Sequence, residues 1–228
     1  KTIERLTGRS LKGMKALDIG CGWGQTLVLF KKKGMMGCGF DPAPEAVDYG
    51  KKLGLNLVHA GLDKMNVFGE RFDVVTLINV LEHLADPVKV VSEIKRDVLE
   101  SGGVLVIDVP NEFNDFQVAG QKTHGLAQWW VAPPAHLNYF STTTLRSLLE
   151  GCGFRVAGAE SSFPLEMFLL FGQNYVADGA IGKACHKERV AFEANLRKQG
   201  KAETLRKFYR ALAELNLGRQ VIVYAVND

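Results

Sequence analysis

Along the first half of the chain, short apolar runs alternate with helix-like stretches. Met14 to Ile19 reads as a strand that ends in a glycine-rich turn, and Gln25 to Lys33 reads as a helix closed by Gly34. Met36 to Phe40 is a second strand, followed by Asp41-Pro42, and Pro44 to Leu53 is a second helix with Gly54 at its end. Leu55 to His59 reads as a third strand. Phe72 to Ile78 is almost continuously apolar, as a parallel strand buried on both faces must be. Pro87 to Leu99 is expected to be helical, with Asp86 as N-cap and Pro87 in the first turn. Gly103 to Val109 is a fifth strand, stopped by Pro110. This β-α-β-α alternation predicts an α/β fold with a doubly wound, mostly parallel sheet.

The pattern changes after Pro110. Asn111 to Phe140 is a long connection rich in Asn, Gln, Pro and aromatic residues, a length that is usually functional or partly structured. Ser141 is placed as the N-cap of a helix through Glu150, and Phe154 to Ser161 alternates like a strand. Pro164 to Leu217 is expected to form helical segments broken near Gly172, Gly179, Gly182 and Gly200. Gln220 to Val226 reads as the last strand.

Composition adds bounds. The 228 residues are 46% hydrophobic and 23% charged, ordinary for one globular domain with an elaboration. No run approaches the roughly 18 continuous apolar residues of a membrane span. A net charge of +3 is too small to imply a nucleic-acid partner. The four cysteines, Cys21, Cys38, Cys152 and Cys185, form no CxxC pair. Neither a structural zinc site nor a disulfide framework is expected, and a reducing cytoplasm is the natural setting. The chain begins at Lys1 rather than Met, which is compatible with missing upstream sequence.

The most informative segment is Leu17-Asp18-Ile19-Gly20-Cys21-Gly22-Trp23-Gly24. Gly20, Gly22 and Gly24 follow a strand and precede a helix, where glycine lets the backbone turn sharply and a ligand approach main-chain atoms. Asp41 ends the next strand, where a carboxylate can accept both hydrogen bonds of a ribose diol. A dinucleotide fingerprint needs a third glycine at the position of Gln25. The spacing here is GxGxG, preceded by Asp18. A carboxylate there repels a pyrophosphate and favours a cofactor carrying an ammonium and a sulfonium.

These residues resemble the class I S-adenosylmethionine methyltransferases. LDIGCGWG resembles the family's first motif and GFDP, Gly39 to Pro42, its second. FDVVTLINVLEHLADP, Phe72 to Pro87, is similar to the fourth-strand motif and its turn, and SGGVLVIDVPN, Ser101 to Asn111, to the fifth. PPAHLNYFSTTTLRSLLEGCGF, Pro133 to Phe154, is similar to the ending of a bacterial subgroup that methylates small molecules. Together they cover most of residues 13–162. The resemblance implies a Rossmann-like seven-stranded sheet with an antiparallel last strand, and S-adenosylmethionine as cofactor with S-adenosylhomocysteine as product. It implies that Asp18 sits near the methionine amino group, acting through water or backbone, and that Gly20 faces the methionine moiety, with Gly22 and Gly24 shaping the loop. Asp41 is expected to bind the ribose hydroxyls, Pro42 to flank the adenine, and Asn79 to face the methionine end. Where the family often has an acid directly after the third strand, this chain has Ala60-Gly61-Leu62. The adenine edge is therefore assigned to Leu62 or to the shifted Asp63.

A sulfonium methyl is already activated, so alignment with the acceptor is the main requirement. A base matters only where the acceptor must lose a proton. His136, in the aromatic loop Trp129 to Phe140, is the candidate base, set against a purely positioning role. Tyr139 is a candidate to orient a substrate hydroxyl, set against simple packing. His83 and Glu82 are read as residues that tie down the turn before Asp86, set against a role as base. No His/Asp/Glu spacing suggests a catalytic metal. Lys183 to Arg210 holds nine Lys/Arg against three Glu. The region Pro164 to Leu217 reads as a lid or homodimer contact inserted before the last strand, the alternative being an element on an anionic surface. The leading expectation is methylation of a small-molecule acceptor such as a sugar, a quinone or phenolic precursor, or a specialised metabolite. An RNA or protein methyltransferase, and a cofactor-binding scaffold or sensor without catalysis, are the rivals.

Overall fold

The computed structural model describes residues 1–228. In chain order the elements are α1 (Thr2–Thr7), β1 (Lys15–Ile19), α2 (Gln25–Lys32), β2 (Met36–Asp41), α3 (Pro44–Lys52), β3 (Asn56–His59), β4 (Phe72–Ile78) and α4 (Pro87–Glu93). They continue with β5 (Leu99–Pro110), α5 (Asp115–His124), α6 (Thr142–Gly151), β6 (Arg155–Ser161), α7 (Glu166–Leu170), α8 (Gly179–Lys198), α9 (Ala202–Glu214) and β7 (Gln220–Val226). The seven strands form one sheet in the order β3-β2-β1-β4-β5-β7-β6. β1 through β5 pair in parallel. Along β5 the backbone partner falls from Asn227 at Gly103 to Arg219 at Asn111, so β7 runs antiparallel. This is the expected Rossmann-like sheet with its antiparallel last strand.

The chain divides into two compact units. The first comprises Lys1–Asp108, Arg146–Gly158 and Val223–Asp228, and the second Val109–Leu145 and Ala159–Ile222. In the first, Leu17, Val75 and Leu105 stand side by side across β1, β4 and β5, and none is accessible to solvent. The apolar run Phe72–Ile78 is continuous because both faces of a central parallel strand are covered.

In the second unit, α5 and α7 pack closely. A Cβ on Gly120 would lie 2.8 Å from Leu169 Cδ1 and 3.1 Å from its Cβ, so a larger residue there would have to displace the Leu169 side chain. α9 buries Leu205, Leu212 and Ala213 on one face. Phe163, Phe168, Phe192 and Phe208 form a chain of ring contacts between 5.6 and 6.2 Å. No helix is long and apolar enough to cross a membrane.

Several boundaries differ from expectation. The helix from Pro87 stops at Glu93 and passes into one wide turn, Ile94–Val98, so the next strand starts at Leu99. Ile94, Val98 and Leu99 are all fully buried, and the turn suits that burial. β5 is longer than the apolar run suggests because its register jumps: Phe72 faces Leu99 but Val74 faces Val104. The extra residues bulge at Gly102, whose φ is 74°, and at Gly103, where a Cβ would meet Glu100 O at 2.8 Å. Gly182 does not break the late helix. Asp178 caps α8 by accepting from Ala180 N at 2.7 Å, and the helix runs through Gly182. The connection from Asn111 contains an unforeseen helix, α5, capped by the Asn114 side chain and closed by Gly125 at φ 61°. Ser141 does cap α6: its Oγ accepts from Thr144 N at 3.2 Å, and Thr144 Oγ1 accepts from Ser141 N at 2.9 Å.

Leu105→Ala opens a cavity at the β5 end of that buried row, and the expected loss is about 2–5 kcal/mol. Urea unfolding should show a lower midpoint at unchanged slope; an unchanged midpoint would contradict the packing described.

Candidate functional site

The order β3-β2-β1-β4 places a topological switch point between β1 and β4, where connections leave in opposite directions and open a crevice at the carboxyl edge. A cleft of about 370 Å³ lies there, lined by Ile19, Gly20, Asp41, Leu62, Asn79 and His83 among others. That volume is within the roughly 300–1,000 Å³ of small-ligand sites.

The glycines build its floor. The Gly20 and Cys21 amides both donate to Phe40 O, at 3.0 and 3.1 Å. Gly20 has φ 69°, and a Cβ there would lie 2.5 Å from Val80 Cγ2. Any larger residue at Gly20 is therefore strained and blocked. Gly24, at φ 81°, starts α2 with Leu55 Cδ1 2.6 Å from its virtual Cβ. Gly22 donates its amide to Asp41 Oδ2 at 2.8 Å, and Ala43 N donates to Oδ1 at 2.8 Å. Each oxygen of Asp41 thus commits one acceptor site to backbone. An ionised carboxylate has about four such sites, so two remain for the cleft it lines. The His59 ring shares a hydrogen bond with Pro42 O at 3.0 Å, which fixes the segment after Asp41.

Asp18 lies near the end of β1, just before the turn. It is 2% exposed and is not among the cleft-lining residues. Its Oδ1 accepts from Thr76 Oγ1 at 2.5 Å. Burial pushes its carboxyl up to about 6, against the opposing bonds from Thr76 and Thr26 and with a further push from Asp41. Asp18 therefore supports the glycine turn from beneath. Of the two residues expected at the adenine edge, Leu62 lines the cleft, while the Asp63 carboxylate lies back against Gly61. Asn79 holds a left-handed φ of 53° and donates its amide to Asp108 O at 2.8 Å. Gly20, Asp41, Pro42, Leu62 and Asn79 thus share one cleft, while Gly22 and Gly24 shape its loop.

Sequence reasoning misses the walls supplied by Phe40, Val80, His83 and Leu84. It also misses a pair of buried carboxyls. Asp108 has an Oδ1 without a hydrogen-bond partner, and so has Glu82 at Oε2; Glu82 is 2% exposed. Burial, reinforced by Glu82, pushes Asp108 up to about 7, and burial raises Glu82 as well. An acid inside the apolar run Val104–Val109 is the signal that could have found it.

His136 and Tyr139 belong to the second unit. The His136 amide donates to Ala132 O at 2.9 Å, and its ring centroid is 6.2 Å from that of Tyr139. The Tyr139 hydroxyl accepts from Ala132 N at 3.1 Å, so it closes the turn that carries His136.

The family model described as a methyltransferase domain matches residues 1–158. The chain belongs to this methyltransferase family. It is 31% identical over 106 residues to a ubiquinone biosynthesis O-methyltransferase of Cereibacter sphaeroides, covering 44% of this chain and 42% of that protein. A protein of the same name from Coxiella burnetii is 23% identical over 173 residues, covering 68% of this chain and 73% of its own length. The chain therefore spans less than half the length of the first of these relatives. Its fold is similar to that of a SAM-dependent methyltransferase from Archaeoglobus fulgidus, with TM-score 0.61, 19% identity, and coverage of 98% of this chain and 90% of the other.

The raised Asp108 carboxyl makes a signed prediction. Its folded form favours the proton, so its contribution to stability is complete at low pH. That contribution is lost as pH rises from the ordinary carboxyl value of 3.8 through about 7. Asp108→Asn removes the loss, so its advantage over wild type should grow across that window to roughly 4 kcal/mol. Thermal melts from pH 4 to 8.5 check this, and a pH-independent difference would refute the assignment.

Proposed function

We propose that the chain transfers a methyl group from S-adenosylmethionine to an oxygen of a small-molecule acceptor of the phenolic class. The observation that carries the cofactor half is the Asp41 carboxylate: it ties the glycine loop through Gly22 and still faces the cleft with acceptor capacity to spare. A ribose diol supplies the two donors that this capacity asks for. Leu62 and Pro42 offer apolar faces for an adenine, and Gly20 and Asn79 border the methionine end. Asp18, beneath the turn, lends negative potential that suits a cationic amino acid better than a pyrophosphate.

When bound, the cofactor supplies a methyl group on a sulfonium, which leaves as a neutral thioether. The chain's own residues orient, exclude water and accept a proton. His136 is the proposed base for the acceptor hydroxyl, and Tyr139 fixes the turn that presents it. The choice of a phenolic oxygen is supported by the relatives' printed names and by the aromatic residues around His136. The helices between Pro164 and Leu217 are proposed as a lid or a contact with a second copy.

Calorimetry tests the cofactor. S-adenosylhomocysteine should bind and NAD should not. Asp41→Ala should weaken binding by at least about 100-fold, since two charge-assisted hydrogen bonds are lost at about 1.5–3 kcal/mol each. Tight NAD binding without S-adenosylhomocysteine binding would sink the reading. Product formation from 3,4-dihydroxybenzoate, followed by mass spectrometry, tests the reaction. His136→Ala should slow it by about 10²–10⁴-fold, and unimpaired turnover would remove His136 from the base role.

A further inference from the structure

Phe113 adopts φ 60°, in the left-handed region. For a residue with a bulky side chain that conformation costs roughly 1–3 kcal/mol, and it persists only if the neighbours impose it. They do. Asn111 is fully buried: its amide donates to Arg219 O at 3.0 Å, and its Nδ2 donates to Asn216 O and Gly218 O at 3.1 and 3.0 Å. The Glu112 amide donates to Phe140 O at 2.9 Å, and its buried carboxylate accepts from Gln117 Nε2 at 2.7 Å. Asn114, 1% exposed, donates to Asn111 O at 2.9 Å and caps α5. Arg219 lies 3.8 Å from Glu112 and 3.4 Å from Glu166, one cation between two buried carboxylates.

This buried polar frame does the opposite of what hydrophobic burial would do. It holds out the one large apolar side chain in its midst, leaving Phe113 47% exposed. The ring is not isolated. It meets Trp130 edge-on at 5.7 Å and Tyr139 at 5.6 Å, and Trp129 meets Trp130 at 4.7 Å. Trp130 is buried behind it, so the group is a backed aromatic wall with Phe113 as its solvent-facing member. Aromatic rings arranged edge to face accept a further planar ring in the same way.

We propose that Phe113 is a specificity-determining residue that receives the aromatic ring of the acceptor, with Tyr139 and Trp129 completing the surface. This deepens the methyl-transfer reading and rests on it for the reaction, though not for the binding. Strain at Phe113 is then the means by which a rigid scaffold presents a ring that folding alone would cover.

The test separates presentation from structure, because glycine adopts a positive φ without strain. In a Trp23→Phe background, fluorescence comes from Trp129 and Trp130 alone. Wild-type protein titrated with catechol should show saturable quenching, and cyclohexane-1,2-diol should show none. Phe113→Gly should raise the catechol dissociation constant about tenfold, melt no lower than wild type, and keep its affinity for S-adenosylhomocysteine. With 3,4-dihydroxybenzoate, the variant's KM should rise while kcat changes little. No saturable quenching in wild type, an equal response to the non-aromatic diol, or an unchanged dissociation constant in Phe113→Gly would each overturn the proposal. Loss of S-adenosylhomocysteine binding in wild type would instead strike the cofactor reading.

Discussion

The site hangs on the carbonyl of Phe40, which accepts both the Gly20 and Cys21 amides. Those two bonds fasten the end of β1 to the end of β2 and force the chain into a left-handed turn. The turn frees the Gly22 amide to reach Asp41, and the same turn leaves Val80 where a Cβ of Gly20 would stand. The position of β1 at the centre of a parallel sheet makes this stiff: it pairs with β2 on one side and β4 on the other. A crevice at that edge results from connections that depart in opposite directions.

Buried charge sets the electrostatic character of both units. Asp18 works beneath the glycine turn through hydroxyl donors, and Glu82 and Asp108 form an under-satisfied pair, with Asp108 bonded through its carbonyl to Asn79. Such groups are costly to desolvate, and they cluster near one cleft in the first unit. In the second unit the buried charge is the Glu112, Glu166 and Arg219 group, which fixes the segment around Phe113. Each unit also holds a non-glycine residue at positive φ, Asn79 in the first and Phe113 in the second.

Much of the cofactor cleft is legible in the amino-acid sequence. Motif spacing names Gly20 and Asp41, because a strand, a tight turn and a helix in succession leave little freedom to the residues beside them, and the family resemblance adds Pro42, Leu62 and Asn79. Spacing also singles out Asp18, and the resemblance Asp63; the structure sets Asp18 against Thr76 and the Asp63 carboxylate against Gly61, directions that depend on the neighbouring strand and turn. His83 reads as a turn residue, yet it lines the cleft. The helix α5 escapes the sequence pattern because its apolar periodicity is weak and its cap, Asn114, lies in a stretch rich in polar residues.

The sequence by itself determined the order of elements, the parallel core and the glycine turn with its acid. Those are local signals: an apolar run of seven residues, a glycine spacing, a carboxylate at a strand end. Tertiary structure alone decided which acids are buried, where β5 bulges, and that Phe113 is held outward by residues as distant in sequence as Arg219. Such features depend on pairings between remote segments, and no local pattern of hydrophobic and polar residues records a partner that far along the chain.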